Sequence, residues 1–268
     1  MNTSLLNRAL WVSGAIMLTG CAAVEQQLKQ HVKAPQVNFK AMAFGDVSSQ
    51  AIGFKPTFTV TNTNLFSVPV NSASYQLTVN GQPMVNGNTD TIGQLAPNAP
   101  KDVTLDINLA SESLSTLQQA LFKDKKVDYQ VSGDLNIMGL TVPFSQSSTL
   151  FVPEVSVSKV NVVKASMKEV QLMVSFAIDN KNDFTLPLQD LSYSVSTAAA
   201  PLISGNLANQ KIGQGANVIE LPLTLKTSQL VSNVLSLMKN PNVPLTVKID
   251  SPMFNYQKTE QLNLSSLF

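Results

Sequence analysis

The chain has 268 residues, with 18 lysines and arginines, 17 aspartates and glutamates, and a formal net charge of +1. This near-neutral balance, without a basic cluster, argues against nucleic acid as a partner. The sequence contains one cysteine and one histidine. An intramolecular disulfide is therefore impossible, and no metal site of the conventional zinc type is expected.

The N-terminal residues are typical of an export signal. The stretch 9–18 is apolar and uncharged, but it is too short to span a membrane as a helix. Residues 18–21, with the sequence Leu-Thr-Gly-Cys, resemble the bacterial lipobox, which implies cleavage before Cys21 and acylation of that cysteine. We therefore predict a lipoprotein signal peptide over residues 1–20 and a lipidated tether over residues 21–36.

Acylation of Cys21 would make the membrane a partner of this protein. Each buried methylene contributes about 0.8 kcal/mol, so two acyl chains hold a protein stably where one is marginal. Ala22 follows the cysteine. In Gram-negative lipoproteins an aspartate at that position favours the inner membrane, so the resemblance implies the outer membrane here. The expected location is the cell envelope, with the chain facing the periplasm.

A long segment of the chain is repeated without a gap. Residues 58–75 recur as residues 176–193, at an offset of 118 positions. The shared residues are Phe58/Phe176, Asn62/Asn180, Asn64/Asn182, Phe66/Phe184, Pro69/Pro187, Ser74/Ser192 and Tyr75/Tyr193, and Gly87 meets Gly205 at the same offset. Self-similarity at a fixed period identifies the folding unit. We predict a first module over residues 37–152 and a second module over residues 155–268, separated near Pro153.

Both modules show the alternation of apolar and polar residues that is typical of strands with one buried face. Residues 103–109 and 172–178 are clear examples, as expected for antiparallel sheets. Asn80-Gly81 has the composition of a hairpin turn. About seven short strands in each module predict an all-β fold, with two tandem sandwiches similar to immunoglobulin or fibronectin III domains.

One short helix is expected in each module. The first begins at Ser111 and places Leu114, Leu117 and Leu121 on one face. The second begins at Thr227, with apolar residues again at helical spacing. Serine and threonine are both favourable residues at a helix N-terminus.

The repeated residues resemble the WHy domain (water stress and hypersensitive response) of late embryogenesis abundant type 2 proteins. The motif comprises Asn62, Asn64, Pro69, Tyr75 and Gly87 in the first module, and Asn180, Asn182, Pro187, Tyr193 and Gly205 in the second. Family members commonly have proline between the two asparagines, where this chain has Thr63 and Lys181. The resemblance implies an immunoglobulin-like or fibronectin-like sandwich, a role in protection during desiccation or other stress, and no known catalysis.

The motif side chains allow two interpretations. The four asparagines could form a polar recognition site, but asparagines at strand ends more often bond to loop backbone, and we favour that role. Phe66 and Phe184 could stack on a ligand; we favour core packing beneath the loop. Pro69 and Pro187 are predicted to begin or bend an edge strand.

No catalytic centre or cofactor is predicted. A Ser-His-acid triad would need His31, which lies in the tether, and no phosphate-binding loop or dinucleotide fingerprint is present. The expected function is that of a non-catalytic, membrane-anchored lipoprotein with a stress-protective (desiccation or osmotic) or envelope-maintenance role. The alternative is an adaptor that binds an envelope assembly partner. No oligomeric state is predicted.

Overall fold

The computed structural model describes residues 32–198, 201–230, 241–263 and 265. The predicted signal peptide, Cys21, Ala22 and His31 lie outside these residues. The described strands are β1 (Gln36–Val47), β2 (Ala51–Thr61), β3 (Val68–Val79), β4 (Gln82–Leu95), β5 (Pro100–Thr104), β6 (Ile107–Ala110), β7 (Lys126–Ile137), β8 (Leu140–Phe151), β9 (Glu154–Ala165), β10 (Glu169–Asn180), β11 (Leu186–Ser196), β12 (Pro201–Ile212), β13 (Gly215–Lys226), β14 (Asn242–Asp250) and β15 (Asn255–Asn263). The described helices are α1 (Ser111–Asp124) and α2 (Thr227–Leu230).

The two modules have the same strand order. In the first module, β1 pairs with β2, β2 with β5 and β6, and the other sheet runs β4-β3-β7-β8. In the second module the corresponding sheets run β9-β10-β13 and β12-β11-β14-β15. The all-β fold class of two tandem sandwiches is thus confirmed. The module limits inferred from the sequence remain a prediction.

Side chains join the two sheets of each module. The rings of Phe58 in β2 and Phe144 in β8 have centroids 4.7 Å apart. In the second module, the backbone N–H of Val157 in β9 donates to the hydroxyl oxygen of Tyr256 in β15, at 3.0 Å. The strand residues that point into the space between the two sheets of a module form the buried core, as the period-2 alternation predicts.

Most strands are longer than the short strands predicted from the sequence. β4 has 14 residues and β14 and β15 have nine each, whereas only β5 and β6 among the described strands are short, with five and four residues. The outer strand β12 is largely exposed or half-buried along its length. Its pairing with β11 therefore extends beyond the buried part of the sheet. Because alternation of apolar residues marks only the buried part of a strand, it underestimates the length of β12.

The apolar run 103–109 forms two strands and not one. Pro56 lies in β2 at the break, and its carbonyl accepts a hydrogen bond from Leu105 N at 3.0 Å. Proline has no N–H to return to the partner strand, so the ladder is interrupted. The second module has Val174 at the equivalent position, and β13 pairs with β10 continuously.

The predicted turn and helices are where the sequence places them. Asn80 and Gly81 both have positive φ, at 49° and 76°, as a tight hairpin between twisted strands requires. α1 begins at Ser111, and Leu114, Leu117 and Leu121 are all buried. α2 begins at Thr227, and the remainder of that predicted helix lies outside the described residues.

Candidate functional site

The most distinctive polar feature of the first module is a buried pair of asparagines that follows β2. The amide nitrogen of Asn62 lies 2.8 Å from the carbonyl oxygen of Phe66, and 3.1 Å from those of both Leu95 and Ala96. The Asn62 Oδ1 accepts hydrogen bonds from the backbone and side-chain nitrogens of Asn64, each at 2.9 Å. Asn62 is fully buried, and it stabilises the loop by serving as its internal hydrogen-bonding centre.

Asn64 ties this loop to the segment that precedes β1. Its Oδ1 accepts from Lys33 N at 2.8 Å, and its Nδ2 donates to Lys33 O at 2.9 Å. Both backbone groups of Lys33 are thus paired with one side chain. We call the two asparagines and the backbone that they hold the asparagine clasp.

The second module has the same clasp. Asn180 Nδ2 donates to the carbonyls of Phe184 at 2.8 Å and Ile212 at 3.1 Å. Asn182 accepts from Phe151 N and donates to Phe151 O, both at 2.9 Å. Lys33 and Phe151 are separated by the same 118 positions as the asparagines. Each clasp therefore fixes the chain just before the first strand of its module.

The clasp asparagines bond to backbone and to each other, and they are not an open recognition surface. Asn62, Asn64, Asn180 and Asn182 are all at most 4% exposed. Among the described residues, no buried side-chain nitrogen or oxygen lacks a hydrogen-bond partner. A ligand would have to displace these bonds, which makes the structural role the better interpretation.

The repeated prolines begin their strands, but the prediction that these strands lie at a sheet edge is wrong. β3 lies between β4 and β7, and Pro69 is its second residue. Pairing with β7 starts only at Val70. Pro187 is likewise second in β11, and β14 pairs with that strand only from Ser192 onward. A proline is tolerated on an inner strand here because the neighbouring strand has not yet begun to pair.

A tyrosine lies across from a glycine in each module. Tyr75 in β3 is paired with Gly87 in β4, and Tyr193 in β11 with Gly205 in β12. A Cβ on Gly87 would lie 2.2 Å from the Tyr75 Cζ, and one on Gly205 would lie 2.8 Å from the Tyr193 Oη. The glycines are repeated because the tyrosine rings occupy the space of their side chains.

The two modules meet through an aromatic stack and a short parallel strand pairing. We call residues 63–67 and 181–185, which follow the first asparagine of each clasp, the first and second clasp loops. Phe184, in the second clasp loop, stacks on Phe44 of β1 with ring centroids 4.6 Å apart. Val47 at the end of β1 pairs with Leu188 of β11 in parallel orientation. This pairing joins sheets from both modules into one eight-stranded sheet.

Polar side chains border this module junction. The backbone N–H and the hydroxyl of Ser49 both donate to Asp190 Oδ2, at 2.7 Å each. Gln189 Nε2 donates to Asp46 Oδ1 at 2.9 Å. The two bonds from Ser49, the backbone one foremost, hold the pKa of Asp190 below its ordinary value of 3.8.

The sequence did not identify these junction residues. The positions equivalent to Ser49 and Asp190 hold Met167 and Ser72, so the repeat pattern passes over them. This difference between the two copies is the signal in the sequence that could have identified the junction residues, because a residue that acts only between the modules need not be repeated. The sequence also does not reveal the roles of Lys33 and Phe151, because the clasp binds their backbone atoms and not their side chains.

The two repeated phenylalanines occupy different surroundings. Phe184 is 7% exposed, as the prediction of core packing requires. Phe66 is 38% exposed, and its neighbour Leu65 is 86% exposed, so the same prediction for Phe66 is wrong. Phe184 has the first module to pack on, whereas the described residues hold no preceding module for Phe66.

A cleft of about 540 Å³ lies where α1, the boundary between the modules and β15 meet. Its lining includes Lys125, Lys181, Glu154 and Tyr256. Lys181 is ion-paired with Glu154, and this partner raises the pKa of the lysine. Lys125 lies over the ring of Phe122 at 6.0 Å. Two of the lysines that line the cleft, Lys181 and Lys125, therefore already have partners within the chain.

Two further observations concern metals and membranes. No three histidine, cysteine, aspartate or glutamate side chains in the described part of the chain are grouped in a way that could hold a metal ion. None of the described helices has both the length and the apolar character needed to cross a membrane.

The solved structures that match this chain do so at low sequence identity. No curated protein matched the sequence. The fold is similar to a solution structure of an Arabidopsis thaliana protein (19% identity, 45% of this chain and 83% of that one, TM-score 0.40). It is also similar to a crystal structure from Archaeoglobus fulgidus (14%, 45% and 96%, 0.34). A third match is a solution structure described as that of a late embryogenesis abundant protein (17%, 54% and 86%, 0.34).

The family model described as late embryogenesis abundant protein matches this chain twice, over residues 57–148 and 175–253. The first match contains Tyr75 and the asparagines of the first clasp, and the second contains their counterparts in the second module. Together the two matches cover more than half of the sequence, and they confirm the family resemblance inferred from the repeated motif. The chain therefore belongs to the late embryogenesis abundant type 2 family.

Proposed function

We propose that this protein is a non-catalytic lipoprotein of the cell envelope that protects the envelope during desiccation or osmotic stress. The observation that carries the proposal is the family match in both modules. Membership of this family suggests a stress-related, non-enzymatic role. The lipobox-like sequence that ends at Cys21 adds an anchor to the membrane.

The exposed faces of the sheets have chemistry suited to this role. Thr57 and Thr104 have hydroxyl oxygens 2.8 Å apart on β2 and β5, and Thr246 and Thr259 are also 2.8 Å apart on β14 and β15 of the second module. Such hydroxyls exchange hydrogen bonds with water, with each other or with polar groups of another molecule. As water is lost, these faces can bond to membrane headgroups or client proteins without any change of fold.

Anchoring would concentrate the protein at the membrane surface that it is proposed to protect. Two or three acyl chains on Cys21 would hold the protein at the membrane without a spanning helix. Ala22, in place of aspartate, favours the outer membrane with the modules in the periplasm.

A deletion strain tests the function and the anchor separately. We expect the strain to survive drying and osmotic shock less well than its parent, and the wild-type gene to restore survival. A Cys21→Ser gene should yield a protein without acyl mass and restore survival only partly. Equal survival of the deletion strain and its parent after drying, freezing and osmotic shock would refute the protective role. A wild-type protein that carries no acyl mass would refute the anchor.

A further inference from the structure

The first clasp loop is an exposed copy of a surface that the second module uses for docking. Phe184 in the second clasp loop is buried against Phe44 of the first module. At the equivalent place in the first module, Phe66 is 38% exposed and Leu65 is 86% exposed. This apolar pair is thus exposed at the place where the second module makes its docking contact.

The position of the loop indicates what that partner is. Asn64, beside the apolar pair, holds Lys33 through both of its backbone groups. The chain therefore enters the first module directly at this loop. Cys21 precedes Lys33 by only twelve residues, which span at most about 40 Å when fully extended. An acylated Cys21 would keep this end of the molecule close to the bilayer.

The charges around the loop fit a lipid surface. Residues 61–67 contain no acidic side chain, and neither do residues 96–100, which are joined to the loop by the bond from Asn98 N to Asn64 O. Lys33 is exposed beside them. The second module, which docks on protein, has Asp183 where the first has Leu65. The first loop can thus enter the headgroup region without desolvating a carboxylate.

A second copy of the chain fits this surface less well. In the junction between the modules, Leu188 of β11 is free to pair with β1 because β14 reaches only Ser192. The equivalent residue, Val70 of β3, is already paired with Ile137 of the longer strand β7. The parallel strand pairing that joins the modules therefore has no counterpart at this end.

From these observations we propose that residues 63–67 form a membrane-contacting loop, in which Leu65 and Phe66 insert into the interfacial layer of the bilayer that holds the acyl anchor. This inference rests on the proposed anchoring at Cys21. The acyl chains would tether the protein, and the loop would fix its orientation, with the first module against the lipid and the second pointing away.

Tryptophan fluorescence provides a direct test. The one tryptophan of the sequence, Trp11, lies in the predicted signal peptide, so a mature Phe66→Trp variant carries a single indole. The acylated full chain would be reconstituted into vesicles of phosphatidylethanolamine and phosphatidylglycerol, with and without brominated acyl chains. The matched control is Val218→Trp, at a residue of the second module that is 65% exposed.

We expect brominated lipid to quench the Phe66→Trp variant and to leave Val218→Trp unchanged. Adding Leu65→Asp to the Phe66→Trp variant, which introduces the residue type found in the second copy, should shift the emission back towards that of an indole in water. Melting curves of the variants would verify that each is folded.

Three outcomes would overturn the inference. If the acylated protein floats with the vesicles but both indoles escape quenching, the anchor stands and the loop insertion is wrong. If the protein does not float with vesicles at all, both the anchor and the insertion are wrong. If light scattering shows a dimer that Leu65→Asp dissociates, the loop binds a second copy and not lipid.

Discussion

The ring of Tyr75 occupies the place of a side chain on Gly87. The two residues are directly opposed on β3 and β4, and a Cβ on the glycine would lie 2.2 Å from both Cζ and Oη of the tyrosine. An aromatic ring packed over a glycine on the neighbouring strand covers backbone that would otherwise be bare and helps to fix the register. The same relationship between Tyr193 and Gly205 shows that the duplication preserved a contact as well as a sequence.

Gly87→Ala should destabilise the protein by about 1–3 kcal/mol, because the tyrosine ring must move to admit the methyl group. Gly205→Ala should cost less, since its Cβ would lie 2.8 Å from the nearest tyrosine atom. Gly213→Ala is the control, with its nearest neighbour at 3.5 Å. Urea unfolding measures the three free energies. Equal losses for Gly87→Ala and Gly213→Ala would show that the tyrosine contact does not explain the repeated glycine.

Asn62→Ala should lower the free energy of unfolding by about 2–4 kcal/mol, because it leaves buried carbonyl groups of the clasp without donors. Asn180→Ala should have an effect of similar size in the second module. The exposed Asn88, which bonds weakly to Asp90 at 3.4 Å, offers the control variant Asn88→Ala. Loss of native tertiary signal at a lower denaturant concentration for both clasp variants is the expected result. A clasp variant as stable as Asn88→Ala would contradict the structural role.

Phe184→Ala and Phe66→Ala form a matched pair at equivalent positions of the repeat. Phe184→Ala removes a buried ring stacked on Phe44 and should destabilise the junction by about 3 kcal/mol. Phe66→Ala, at a partly exposed residue, should change the stability in solution by less than about 1 kcal/mol. Limited proteolysis near Pro153, together with thermal melting, would distinguish them. Equal sensitivity of the two variants would mean that the junction contact is not important.

Acid should weaken the module junction at Asp190. The bonds from Ser49 lower the pKa of this carboxyl in the folded state below 3.8. The junction therefore keeps its full contribution above pH 3.8 and loses it as the pH falls through the folded-state pKa. The effect should be small, because the carboxylate is exposed to solvent.

Thermal melting of the wild type and of Asp190→Asn as a function of pH isolates this carboxyl. Asp102, whose pKa is lowered by its bonds with Lys40 and Thr59, titrates in both proteins and cancels in the comparison. The difference in melting temperature between the two proteins should shrink below about pH 4. A difference that does not change with pH would show that Ser49 does not stabilise the ionised form.

The sequence predicted the local structure well where one residue type has one physical use. Asn80-Gly81 predicted a turn because both residues accept positive φ, and Leu114, Leu117 and Leu121 predicted a buried helical face. The sequence predicted strand lengths poorly, because outer strands such as β12 extend without apolar alternation. It also could not reveal that Pro56 of β2 divides the opposite strand into β5 and β6, since the break depends on which residue lies opposite the proline.

By itself, the sequence determined that the chain is a duplicated all-β protein of the late embryogenesis abundant family. Repeated motifs and period-2 alternation are properties of the chain alone, and they need no knowledge of which strands meet. Only the tertiary structure decided how the two copies differ in use. Ser49 and Asp190 are 141 positions apart in the chain, and folding alone brings them together. Phe66 and Phe184 occupy the same place in the repeat, yet one is exposed and the other buried, because burial depends on what packs against a loop and not on the residue in it.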